Sequence, residues 1–312
     1  MSSEPLNQQP FDPGITQTYT GELRRIVNRD GSFNVRRRGR SLRDVHVYQL
    51  LVSMSWTKFM GLVLAVYAAV NFVFAGLYLA AGLQNLSGAE ASTRIESLLN
   101  AFFFSVQTLT TVGYGAMSPK GITTNIIASV EAMMGVLGFA FAAGILYGRF
   151  SRPSARILFS DQAIIAPFRD GMSLQFRIAN RRSNAIVNLE ATVLLMTVEW
   201  EGTEHKRKYL RLELERPNVY FLPLTWTIVH PIDASSPLSG LAKEQFAERS
   251  VELLVLITGF DDSFSQVVNA RTSYRWDEIV WGARFLPAFH ADEAGELVLD
   301  LARINDTVPT GL

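Results

Sequence analysis

The residue types available for chemistry narrow the field quickly. None of the 312 residues is cysteine, which removes thiol catalysis, disulfides and cysteine-held metal. The four histidines, His46, His205, His230 and His290, stand apart, and no HExxH spacing surrounds them. No G-x-S-x-G nucleophile turn or phosphate-cradling Walker loop occurs. Enzyme chemistry is disfavoured, and the sequence predicts no cofactor. One segment offers chemistry of another kind. In Thr111-Val112-Gly113-Tyr114-Gly115, glycines alternate with larger residues. Glycine takes backbone angles closed to other residues, so Gly113 and Gly115 let successive carbonyls turn toward one axis. Carbonyls of Thr111, Val112, Gly113 and Tyr114, with the Thr111 hydroxyl at the inner end, could replace the water around a bare cation. Val112 and Tyr114 would then pack behind them.

Such a ladder needs elements that hold it away from bulk water, and the composition supplies them. Hydrophobic residues are 48%, charged residues only 19%, and mean hydropathy is +0.14; soluble domains carry about 25% charge. Basic and acidic residues balance at 29 each, so no bulk charge points to nucleic acid. Phe59–Leu83 runs 25 residues without a charge, and Ile122–Gly148 runs 27 with Glu131 its only charge. At 1.5 Å per residue each exceeds the ~30 Å hydrocarbon core, so two transmembrane helices are predicted. Between them, Leu98–Thr111 is apolar but only 14 residues long, which suits a re-entrant helix ending at the glycine string. Its C-terminal partial charge would favour cations. Non-helical backbone at membrane depth is tolerated where protein buries it or it lines a wet cavity.

Basic residues are placed asymmetrically about the spans. Arg36, Arg37, Arg38, Arg40, Arg43 and Lys58 precede the first, Arg149, Arg152 and Arg156 follow the second, and the connector 84–121 holds only Arg94 and Lys120. This bias predicts cytoplasmic termini. Asp44–Trp56 (DVHVYQLLVSMSW) follows the arginine cluster and carries aromatic anchors. Asp44, His46 and Gln49 suit lipid poorly, so an interfacial helix is expected over 42–56. Arg36, Arg37, Arg38, Arg40, Arg43, Arg149, Arg152 and Arg156 are candidate contacts to anionic headgroups, at about 1 kcal/mol each. The same charges could serve topology alone.

In the second span, Ala132, Val136, Phe139, Ala143 and Tyr147 follow at spacings of 4, 3, 4 and 4 and share one stripe, predicted to line the ion path. Four copies of a bulky residue near the cytoplasmic end form an apolar constriction that gates by excluding water. Gly135 and Gly144 are hinge candidates, with close helix packing an equal reading. Glu131, the lone intramembrane acid, is either a charge near the path or a hydrogen-bonded buttress behind the filter. No helix of spaced arginines suggests voltage sensing.

Residues 151–312 read as β-rich. Ala163–Phe168, Ser173–Ala179, Ile186–Val198 and Val251–Gly259 are strand-like, and Leu210, Leu212 and Leu214 alternate with charged residues. An antiparallel sandwich of immunoglobulin-like type is expected. Residues 1–35 and the tail after Asn305 are expected to be poorly ordered.

The Thr111–Gly115 string is that of potassium selectivity filters. With AFFFSVQTLTTVGYG (101–115), YGRFSRP (147–153), WTIVHPIDASSPL (226–238), LITGFDDSFSQVVNARTSY (256–274) and IVWGARF (279–285), the chain resembles the bacterial inward-rectifier potassium channels, the KirBac family, over nearly its whole length. The resemblance implies an α+β membrane protein with two transmembrane helices, a re-entrant pore helix and filter, and a cytoplasmic immunoglobulin-like β-sandwich. It divides into a tail 1–41, a slide helix 42–56, a pore domain 57–148 and a cytoplasmic domain 149–312. It implies a homotetramer in the bacterial plasma membrane, with potassium as permeant ion, Tyr147 as aromatic gate and anionic lipid acting near Arg149–Arg152. Phe139 stands where strong rectifiers of the wider family carry a carboxylate, and a second family acid matches Asn188, with Glu190 two residues on. Weak polyamine block is therefore expected. The rival readings are a channel whose cytoplasmic domain binds a soluble ligand, and a membrane-anchored ligand-binding module with a non-conducting pore.

Overall fold

A computed structural model describes residues 14–15, 18–19, 25–36, 38–39, 46–151, 155–201 and 204–311. The chain divides into two compact units, residues 38–152 and residues 1–37 with 153–312.

The first unit is helical. A short helix α1 (Val47–Ser53) ends where Met54 and Ser55 turn extended, with ψ of 158° and 154°. Helix α2 (Trp56–Ala81) follows directly. The expected interfacial helix is thus shorter than 42–56: Trp56 belongs to the first turn of α2, and residues 42–45 lie outside the described residues. Gly82, at φ 95°, ends α2 in a conformation suited to glycine. Leu86–Ser87 then pairs with Ser118–Pro119, and the Lys120 amide donates to the Asn85 carbonyl at 2.7 Å. Both ends of the connector are therefore tied together. Between them lies α3 (Arg94–Leu109), and α4 (Gly121–Phe150) completes the unit. Helix α3 begins four residues before the predicted Leu98. The reason is a capping box: the Thr93 hydroxyl accepts from the Glu96 amide, and the Glu96 carboxylate accepts from the Thr93 amide. Helices α2 and α4 are long and apolar enough to span a membrane, and most of their surface is uncovered within one subunit.

The second unit is a β-sandwich. One sheet runs in the order 18–19, 204–211, 186–201, 252–261 and 266–275, with 218–221 beside 186–201; the other runs 225–232, 171–180, 163–168 and 279–281, with 157–159 beside 171–180. Alternate residues of each inner face fill the core: Leu174, Phe176 and Ile178 meet Leu189, Ala191, Val193 and Leu195. Among the described residues pairing is antiparallel, as expected, except between 279–281 and 163–168, which run parallel. The predicted strand through Leu214 is corrected, because pairing stops at Arg211. The Leu212 amide bonds to Val193 in one sheet and the Glu215 amide to Val229 in the other, so this stretch crosses between sheets. Its alternation persists because Leu212 still points into the core.

Neither terminus is wholly loose. Ile26 and Val27 pack on the outer face of the 186–201 strand, over Leu194, Met196 and Val198. That strand is covered on both faces, which is why its sequence is an almost continuous apolar run. Arg25 donates to both carboxylate oxygens of Glu278, at 3.0 and 2.7 Å. Ile304 is buried, and Thr307–Pro309 pairs with Ala283–Phe285. The described part of the N-terminal segment before Arg38 therefore belongs to the sandwich unit rather than forming a separate tail. His230 is structural: Nδ1–H donates to the Glu213 carbonyl at 2.5 Å, the Ser236 hydroxyl lies 2.7 Å from Nε2, and burial pushes the imidazole pKa down.

Candidate ion-conduction site

The last turn of α3 hands the chain to the glycine string. The Gln107 carbonyl accepts the amides of both Val112, at 3.0 Å, and Gly113, at 3.3 Å. The Thr111 amide donates to the Thr108 carbonyl at 3.0 Å. Three amides of the string are thus turned back toward the helix. Among the described residues no hydrogen bond to the carbonyls of Thr111, Val112, Gly113 or Tyr114 is found. The backbone explains this one-sidedness. Thr111, Gly113 and Gly115 take φ of 58°, 52° and 83°, while Val112 and Tyr114 between them do not enter the positive-φ region. Residues of positive and negative φ in alternation turn successive peptide planes the same way. The two glycines were legible in the sequence; Thr111 in the left-handed region was not, since a β-branched residue rarely goes there. Strain of this kind marks functional backbone when its surroundings enforce it.

Glu131 is 0% exposed. Its carboxylate accepts from the Tyr78 hydroxyl of α2 at 2.6 Å and from the Ser105 hydroxyl of α3. Ser105 also lies 3.0 Å from the Asn71 side-chain oxygen, and Asn71 donates to the Tyr67 carbonyl at 2.7 Å. All three long helices therefore meet in one buried polar network. Sequence reasoning found Glu131 but missed Asn71, Tyr78 and Ser105; the available signal was Asn71, an amide in the uncharged first span.

The stripe Val136, Phe139, Ala143 and Tyr147 is exposed on α4, with Phe139 at 78% and Tyr147 at 74%, while Ala132 is half-buried. Gly135 sits against the end of α3, and a methyl group there would overlap the Leu109 carbonyl. Close packing accounts for this glycine without a hinge. Gly144 faces open space within the subunit. In the sandwich, Asn188 takes φ 50° where the pairing register shifts, and both it and Glu190 are exposed.

Of the candidate lipid contacts, Arg36, Arg38 and Arg156 are exposed. Arg149 is not a free headgroup ligand: its guanidinium turns inward onto the carbonyls of Leu51 and Met54. Arg37, Arg40, Arg43 and Arg152 lie outside the described residues.

Two helices long and apolar enough to span a membrane, with a shorter helix and a string of free carbonyls between them, make the arrangement of a membrane ion channel. Residues 60–152 match the family model described as Ion channel, and residues 157–311 match the Inward rectifier potassium channel C-terminal domain. The inward rectifier potassium channel Kirbac3.1 of Paramagnetospirillum magnetotacticum is 39% identical over 90% of this chain and 95% of its own. The G protein-activated inward rectifier potassium channel 2 of Mus musculus is 28% identical over 93% of this chain and 73% of its own. The inward rectifier potassium channel 4 of Homo sapiens is 33% identical over 68% of this chain and 50% of its own. The chain belongs to the inward rectifier potassium channel family.

Proposed function

We propose that four copies of this chain form a potassium-selective channel, conducting passively through rings of carbonyls from Thr111, Val112, Gly113 and Tyr114. The observation that carries this reading is the alternation of φ along 111–115, with the Val112 and Gly113 amides turned to Gln107 and the carbonyls left free. Dehydrated potassium needs such oxygens in place of its hydration shell. The uncovered surface of α4 supports assembly, because its apolar groups need lipid or sister helices. Tyr147 narrows the path near the end of α4 and gates it, under the influence of the sandwich. Both termini are cytoplasmic and the spans lie in the plasma membrane, consistent with the arginine bias. Arg36, Arg38 and Arg156 meet anionic lipid. Phe139 offers no carboxylate to draw polyamines into the path, so block is weak.

Barium-sensitive rubidium uptake into liposomes tests the reading. The expected result is uptake that sodium does not replace and that micromolar spermine barely reduces. Absence of uptake from assembled protein would favour a membrane-anchored module with a non-conducting pore.

A further inference from the structure

Helix α1 is seven residues long, too short to be stable alone in water. Its last carbonyls have no partner within the helix, as at any helix end. Two carbonyls at this end are taken by one side chain from elsewhere. Arg149, the penultimate residue of α4, donates through Nη1 to the Leu51 carbonyl at 2.5 Å and through Nη2 to the Met54 carbonyl at 2.7 Å. Its guanidinium carbon also lies 4.7 Å from the Trp56 ring centre and 4.6 Å from that of Phe59, both on the first turn of α2. Phe59 is only 2% exposed. The Trp56 ring in turn meets Phe150 at 5.2 Å. Beside this knot, Gly148 leaves room for the Tyr48 phenol of α1, which a methyl group would strike. Three helices thus converge on one planar cation.

We propose that Arg149 is a latch fastening α1 to the end of the inner helix, a positioning residue for gating rather than a lipid ligand. Tyr147 lies two residues earlier on the same helix. Any rotation or bend that moves Tyr147 either carries α1 with it or breaks two hydrogen bonds and two ring contacts together. The role requires arginine. A lysine ammonium is a point charge that cannot fork to both carbonyls while also meeting both rings. Coupling to conduction rests on the gate reading of Tyr147; the fastening of α1 does not.

The test compares wild type, Arg149→Lys and Arg149→Ala as full chains in liposomes, with and without anionic lipid. Amide exchange over 46–55 and rubidium uptake are both read. The expected result is exchange over 46–55 at least tenfold faster in both variants, with 56–81 unchanged. Uptake shifts fivefold or more in the same direction in both, within the usual range of coupling between sites, and the ratio of uptake with and without anionic lipid stays as in wild type. If Arg149→Lys matches wild type while Arg149→Ala loses the lipid response, the residue acts by charge on headgroups and the latch is overturned. Unchanged exchange in both variants overturns it equally. A wild type that takes up no rubidium defeats the channel reading, and the exchange arm still decides the latch.

Discussion

Glu131 shows how a single residue's neighbours decide between two readings. A carboxylate in the second span could face the ion path, but both of its oxygens turn to Tyr78 and Ser105 on the other helices. Interhelical hydrogen bonds in membranes are worth about 0.6–1.7 kcal/mol each. Glu131→Gln keeps one acceptor and the side-chain shape, so rubidium uptake is expected to stay near wild type across pH. Glu131→Ala takes this acceptor from the Tyr78 hydroxyl, leaves Ser105 with Asn71, and is expected to lower the melting temperature of the assembled protein in detergent. A large, pH-dependent loss of uptake in Glu131→Gln would assign the carboxylate to the path instead.

Between elements, the controlling contact is where α4 passes the end of α3. Gly135 meets the Leu109 carbonyl, which is backbone and cannot swing aside. Gly135→Ala therefore forces the helices apart, at about 1–3 kcal/mol for overpacking. Because α3 hands directly to Thr111, the expected result is a channel that discriminates less between potassium and sodium in bilayer recordings. Gly144→Ala meets no such obstacle inside the subunit and is expected to leave selectivity intact. Equal loss of selectivity in both would place the effect in general helix stiffness. The start of α3 is governed by a different device, the Thr93–Glu96 box, which was present in the sequence as T-x-x-E and fixes the helix four residues earlier than its apolar run suggests.

Across the molecule, the N-terminal segment is strapped to the sandwich by charge as well as by Ile26 and Val27. Burial opposes ionisation of Glu278, yet the Arg275 amide and the guanidinium groups of Arg25 and Arg29 outweigh it and hold the carboxyl below its ordinary value. An acid with a lowered folded pKa adds stability above its unfolded value of about 4.3, and that stability is lost as pH falls through the folded value. Glu278→Gln is expected to cost about 1–2 kcal/mol at neutral pH, read as faster amide exchange over 25–36 in the full chain, relative to the intrinsic rate at each pH. The difference between wild type and variant should shrink below pH 4. A difference that persists unchanged at low pH would mean that the strap is held by apolar contact alone.

The sequence by itself determined what depends on short-range pattern and on bulk transfer energy. Two apolar runs long enough for a bilayer, one uncharged and one with a single charge, a shorter run between them, the glycine spacing at 113 and 115, and the period-two strands were all legible, because each follows from neighbours along the chain. The partners of Glu131, the inward turn of Arg149, the parallel edge strand and the packing of Ile26 and Val27 were not. Each depends on a group distant in the sequence that supplies a carbonyl, a hydroxyl, a ring or an uncovered sheet face, and only the folded chain brings those groups within bonding distance.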